Sequence, residues 1–294
     1  MTPLLLGLIG LALAAPVPAL LARASWPARS PTTGVILWQS LALAAVLAIS
    51  GAALSTALWL VTHDLTWWRI VLHVAIMGIG VLVWARFWWA AWHVWHETTR
   101  RRERHRELVD LLGEQHGALP AVRILAEQTP VAYCIPRRRD ARVVISQGTL
   151  DALDEDALQA VLEHERAHVR TRHDLVLEAF GVLHRAFPRP LRTDAPLRQS
   201  QVLVELMADD AARKVAGDGA LARAIVALAG GVTPAGALGA GSDAMVRLDR
   251  LRDAPRRQVW PGALSLTISV IVLIGPTVLL AVPWILHAWQ TLTS

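Results

Sequence analysis

Apolar positions gather into four long runs along the chain, and most of the charge lies between the third and the fourth. The runs cover about residues 3–22 (PLLLGLIGLALAAPVPALLA), 35–60, 68–90 and 262–286, the third fading out between Ala85 and Trp95. Each reaches the roughly 20 apolar residues that a helix needs to cross a bilayer. Tryptophans stand at their ends, as interface anchors do: Trp59, Trp67 and Trp68 bracket the second loop, Trp84 to Trp95 crowd the end of the third run, and Trp260, Trp284 and Trp289 flank the fourth. The pattern predicts a multi-pass α-helical membrane protein with a soluble insert. Its parts are residues 1–96 with three spans, an insert at 97–259, and residues 260–294 with the fourth span.

Within the insert, residues 97–116 read as a charged helix continuing out of the third span. ARVVISQGTL at 141–150 reads as a strand, Arg142 to Ser146, followed by a turn at Gly148. Asp154 then stands where a helix cap belongs, with Glu155 and Asp156 in the first turn. The full capping box is absent, because Ala157 occupies the position of its glutamate. Ala157, Leu158, Val161 and Leu162 follow at helical spacing. RPLRTDAP at 189–196 reads as a loop and QSQVLVELMADDAARKVAG as a second helix ended by Gly217. A third helix is expected at 220–231, and a small-residue loop at 233–243.

Composition sharpens this picture. Of 294 residues, 54% are hydrophobic and 18% charged, against about 25% charged in soluble domains. The net charge of +5 does not point to nucleic acid, because the arginines cluster where apolar runs end. RRRERHR at 100–106 follows the third run, and RLRDAPRR at 250–257 precedes the fourth. Such arginines set topology and meet anionic lipid. With Arg23 and Arg29 in the first loop and Arg69 alone at the second, they predict a cell-membrane protein with both termini outside and a cytoplasmic insert. The first run could alternatively be a signal peptide cleaved near LARA at 21–24, but no positive side chain precedes it. Cys134, the one cysteine, excludes an internal disulfide and reads, with Tyr133, as a core residue.

The chemistry centres on VLEHERAHVR, residues 161–170. His164 and His168, four apart on a helix, share a face and can aim at one ion. Glu165, one position round, can hold and deprotonate a water there. A catalytic zinc needs a third protein ligand and an open fourth position. An extended histidine motif would need glycine at 171 and histidine at 174, where this chain has Thr171 and Asp174, with His173 one place early. The other option is Glu205, on a later helix. Asp209, four residues on, is placed to accept the second ring N–H of a ligating histidine. Alone, the first motif could be a charged surface helix, or a structural rather than catalytic zinc site. Glu205 and Asp209 weigh against the surface helix, and a structural site would have no use for Glu165.

HERAH at 164–168 with ELMADDAA at 205–212 resembles the gluzincin metallopeptidases. TPVAYCIP at 129–136 and the run from VVISQGTL to RTRHD resemble in particular the M56 family of BlaR/MecR-type membrane peptidases, with the CAAX-prenyl and HtpX-like M48 peptidases as relatives. The resemblance covers roughly residues 125–215. It implies a mainly helical zinc metallopeptidase domain with a small edge β-sheet, set between the third and fourth spans. Glu205 would be the third zinc ligand, Asp209 its support and Glu165 the general base. Arg142, Val143, Val144, Ile145 and Ser146 would form the edge strand on which an extended peptide is laid. No motif fixes the group that steadies the oxyanion; His173, His184 and Arg213 are the candidates. The partners implied are the bilayer and a protein or peptide substrate, such as a winged-helix repressor or a misfolded or membrane-bound protein, with no direct nucleic acid. Self-association is compatible with the sequence. The competing readings are a non-catalytic membrane adaptor and an M48-like quality-control protease. The family's sensing domain would follow the fourth span, whose run here ends a few residues from the last residue; the expectation is that antibiotic sensing through such a domain is excluded while repressor cleavage stays open.

Overall fold

The computed structural model describes residues 2–62, 66–116, 119–137, 140–187, 193–229, 238–239, 243–252 and 259–293. They form two units. One comprises residues 1–91, 180–199 and 259–294, the other residues 92–179 and 200–258.

The first unit carries four helical segments long and apolar enough to cross a membrane. Helices α1 (Thr2–Ala14) and α2 (Pro16–Leu21) make the first, broken at Ala15, where Pro16 has no amide hydrogen to continue the ladder. The single turn α3 (Trp26–Arg29) leads into α4 (Pro31–Thr62), the second. The third begins α5 (Trp67–Leu112), and α11 (Val259–Thr293) is the fourth. Half of the apolar window of α4 is buried, against 11–17% in the other three, so α4 is the central helix of this unit. It packs on both α1 and α11. The approach of α1 is close: a Cβ on Gly10 would lie 2.7 Å from Ile49 Cγ1, the small-residue contact that brings helices together in lipid. Leu4, Leu8, Val74, Val81 and Ile271 stay exposed, and hydrocarbon would cover such faces without cost.

Helices α8 (His173–Ala186) and α9 (Ala195–Leu228) contribute to this unit through residues 180–199, which their charge had grouped with the insert. Arg86 Nε donates to the Ala186 carbonyl at 3.0 Å, and Gln199 Nε2 to the Ala22 carbonyl at 3.3 Å. Phe180, Leu183 and Leu197 line an apolar cavity with Leu13, Trp38 and Leu41. Of the expected loop at 189–196, Thr193 and Asp194 are described and Ala195 is already helical.

The second unit is built on a sheet of β1 (Glu114–His116), β2 (Leu119–Leu125), β3 (Ala132–Ile135), β4 (Arg142–Ser146) and β5 (Leu238–Gly239), in the order β1-β2-β4-β3-β5. The β2–β4 pair is parallel and the others are antiparallel. The charged helix α5 ends at Leu112, and β1 occupies the last part of the expected 97–116 helix. Alternation along β4 sorts its side chains. Val143 and Ile145 enter the main core with Cys134, Ala160, Leu221 and Ile225, while Val144 joins Tyr133, Ile135 and Val109 on the opposite face. The short α6 (Gln147–Ala152) is capped by Ser146, whose hydroxyl accepts from the Thr149 amide. Gly148 follows because its backbone runs against Gln128, whose carbonyl oxygen would lie 1.9 Å from a Cβ there.

The strand at 142–146 has the predicted bounds but not the predicted place. It is not an edge. Val143 to Ser146 pair with Val122 to Leu125 on one side, and Arg142 to Ile145 with Ile135 to Ala132 on the other. Both rows of backbone groups are used, so this strand cannot lay a peptide alongside itself. Ser146 is wholly buried as a cap, and Arg142 is held by Asp110 and Asp140. The small-residue stretch 233–243 lies outside the described residues except for Leu238, Gly239 and Asp243.

Candidate metal centre

Helix α7 (Glu155–Arg170) carries the first part of the centre. Its cap is Asp154, which accepts from the Ala157 amide at 2.8 Å. The buried positions Ala157, Ala160, Val161, His164, Ala167 and His168 form one face, packed on β3 and β4. Both histidines are thereby carried into the core rather than toward water, and they are 0–1% exposed. Glu205 and Asp209, one turn apart on α9, are also buried.

His164, His168 and Glu205 converge. The two Nε2 atoms are 3.1 Å apart, and the Glu205 oxygens lie 3.3 Å from His164 Nε2 and 3.5 Å from His168 Nε2. A tetrahedral ion with ligands at about 2.0–2.1 Å requires ligand atoms roughly 3.3–3.4 Å from one another. These nearest separations, which involve a different Glu205 oxygen for each histidine, are close to that spacing. Two imidazoles and a carboxylate are also a donor set suited to zinc.

Each histidine is held from behind. Asp209 Oδ1 lies 3.0 Å from His164 Nδ1. Behind Asp209 stands Arg247, on helix α10 (Ala244–Arg252), whose Nη2 and Nε donate to the two Asp209 oxygens at 2.6 and 2.8 Å. Arg247 Nη1 also approaches Glu205 at 3.5 Å. A second ion pair, Arg250 with Asp210 at 2.7 Å, fixes α10 against α9 in the same register. On the other side, His168 Nδ1 lies 2.9 Å from His173 Nδ1.

The charges are arranged for a cation. Burial presses the His164 pKa down, but Asp209 and Glu205 outweigh it and lift it to about 9. Burial drives His168 well below the ordinary imidazole range, helped by His164 and His173. Asp209, despite burial, is held at about 2 by His164 and Arg247. Glu165 is raised to about 8 by burial, with the Glu205 carboxylate adding to it and His164 opposing. Its two oxygens are buried without a hydrogen-bond partner among the described residues, and the weakly donating thiol of Cys134 sits nearby. A carboxyl held near neutrality beside a cation site can take up and return a proton.

Of the other candidates, His173 belongs to this cluster, but its Nδ1 is committed to His168. Arg213 pairs with Asp218 at 2.9 Å, and His184 lies in the first unit near Asp194 and the Thr193 carbonyl. Sequence reasoning overlooked Arg247. A signal exists: Ala244, Arg247, Leu248 and Leu251 recur at helical spacing on the packed face of α10, so an arginine occupies an apolar stripe.

Residues 96–187 match the family described as Peptidase family M48; the match includes His164, Glu165 and His168 and ends before Glu205. A Protease HtpX homolog of Desulforapulum autotrophicum is 27% identical over 137 residues, covering 42% of this chain and 43% of that protein. One of Halobacterium salinarum is 28% identical over 120 residues, covering 38% and 41%. A third, of Gemmatimonas aurantiaca, is 36% identical over 77 residues, covering 26% and 27%. The chain thus spans less than half the length of these relatives. No solved structure matches it. Residues 96–187 are thus similar to M48 peptidases, and four helices of this chain are long and apolar enough to cross a membrane.

Proposed function

We propose that the chain is a membrane zinc metalloendopeptidase of the gluzincin kind, hydrolysing a peptide bond in a protein substrate. The observation that carries this reading is the spacing of His164 Nε2, His168 Nε2 and Glu205 around one point, with Glu165 adjacent on the same helix. Zinc held by these three residues would supply Lewis acidity toward the scissile carbonyl and toward water. Asp209 accepts the Nδ1–H of His164 and so leaves its Nε2 lone pair for the metal. Glu165 takes a proton from the attacking water and returns it to the leaving amine nitrogen.

The resemblance to M56 peptidases supports a regulatory substrate such as a winged-helix repressor. The matches to proteins named Protease HtpX homolog are compatible with the other reading, an M48-like membrane quality-control protease acting on misfolded or membrane-bound protein. The arginines at 100–106, next to the third span, favour a cytoplasmic site with both termini outside. The test is Glu165→Gln in cells, read by mapping new protein N-termini. It should abolish a discrete set of cleavages seen with the wild-type chain, while the purified variant still binds zinc. Identical N-termini in the two strains under every inducing condition would overturn the protease reading.

A further inference from the structure

The two ligand histidines are supported by different chemistry. Behind His164 stands the carboxylate of Asp209, backed by Arg247. Behind His168 stands another imidazole, that of His173. The His168 and His173 rings meet edge to face, with centroids 4.8 Å apart and planes 84° apart. Both residues are 0–1% exposed. Their burial shields the contact from bulk solvent.

The sequence alone would not place His173 here. In an unbroken helix it would stand about 140° round the axis from His168, five residues on. The chain instead turns between α7 and α8. Arg172 takes a left-handed backbone with φ 52°, a conformation that disfavours a side chain with Cβ. Its guanidinium is clamped by both oxygens of Asp174 at 3.0 Å, and Arg102 approaches the same buried carboxylate at 3.5 Å. The turn is therefore held on both sides, and it returns residue 173 to the back of His168.

We propose that His173 is a positioning residue, its Nδ1 accepting the Nδ1–H of His168 and so fixing the tautomer and ring angle that aim His168 Nε2 at the metal. Two nitrogens at this distance share one hydrogen. If His168 Nε2 is to present a lone pair, its hydrogen must sit on Nδ1, and His173 must accept. His173 then carries its own hydrogen on Nε2, a buried atom without a partner among the described residues. Leaving that N–H unsatisfied is a cost; the gain is that His168 is held by a neutral acceptor. A carboxylate there would accept the same hydrogen but add a further negative charge beside Glu205 and Asp209, which is why an aspartate should restore most of the support rather than all of it. The site thus carries one charged support and one neutral one.

This inference rests on the proposed metal reading, and zinc binding separates the two. The experiment uses the full chain in detergent, with zinc affinity measured by competition with a chromophoric chelator and site geometry by the absorption of bound cobalt(II). The wild-type chain should bind one zinc. His173→Ala and His173→Phe, which lack an acceptor, should weaken binding by about 10- to 100-fold and alter the cobalt spectrum. His173→Asp restores an acceptor and should recover most of the affinity. Phenylalanine fills the ring's place, so the Phe and Asp variants decide the matter if the alanine variant fails to fold. Wild-type affinity and spectrum in His173→Phe, or no recovery in His173→Asp, would overturn the positioning role and leave the metal site standing. Absence of zinc binding by the wild-type chain would overturn the metal reading itself, and this inference with it.

Discussion

At the scale of single residues, the centre combines what is local in the chain with what is not. His164, Glu165 and His168 were legible because one helical turn fixes their relative positions. Glu205 and Asp209 were legible as a pair for the same reason, although only the packing of α9 brings them to His164. Arg247, 38 residues beyond Asp209, had no such local signature. Its guanidinium compensates two buried carboxylates and is 1% exposed. Arg247→Ala should therefore destabilise the second unit by about 3–5 kcal/mol, because it leaves buried charge uncompensated. Arg247→Lys should recover only part of this, since an ammonium cannot make the paired contact. Denaturant unfolding of the full chain in micelles, followed by tryptophan fluorescence, measures both. Wild-type stability in Arg247→Ala would show that the ion pair contributes nothing.

At the scale of elements, hydrophobic period and capping residues located most helices, and the strand at 142–146 came out with its observed bounds. Its neighbours did not. AYCI is four residues between prolines at 130 and 136, and LPAVRIL carries a proline and an arginine, so neither shows the clean alternation that marks a half-buried strand. The family resemblance implied an edge at 142–146; pairing on both sides makes it the middle of the sheet. Gly217 was expected to end a helix. It has φ 82° and ψ 166°, a conformation open essentially to glycine alone. It joins the part of α9 that bears Glu205 and Asp209 to the part that supplies Leu221, Ala224 and Ile225 to the core. Gly217→Ala should cost about 1–3 kcal/mol and, by tilting one half against the other, weaken zinc binding as well. Thermal melts and chelator competition on the purified chain would show it, and an unchanged melt would mean that the joint relaxes freely.

At the scale of the whole molecule, four spans and an arginine-flanked insert predict which loops face which side. In intact cells, Thr66→Cys, between α4 and α5, should react with an impermeant thiol reagent, whereas Arg104→Cys should react only after permeabilisation. Cys134 is fully buried, so the background is low; the opposite pattern would invert the orientation. By itself the sequence determined the four apolar segments and the helix that carries His164, Glu165 and His168. These follow from short-range physics: apolar run length against bilayer thickness, and a fixed 3.6-residue turn. The tertiary structure decided that residues 180–199 pack with the spans, that 142–146 is interior to the sheet, and that Arg247 and His173 stand behind the two histidines. Each of these depends on contacts between residues distant in the chain, or on one left-handed turn at Arg172, and neither leaves a period in the sequence to read.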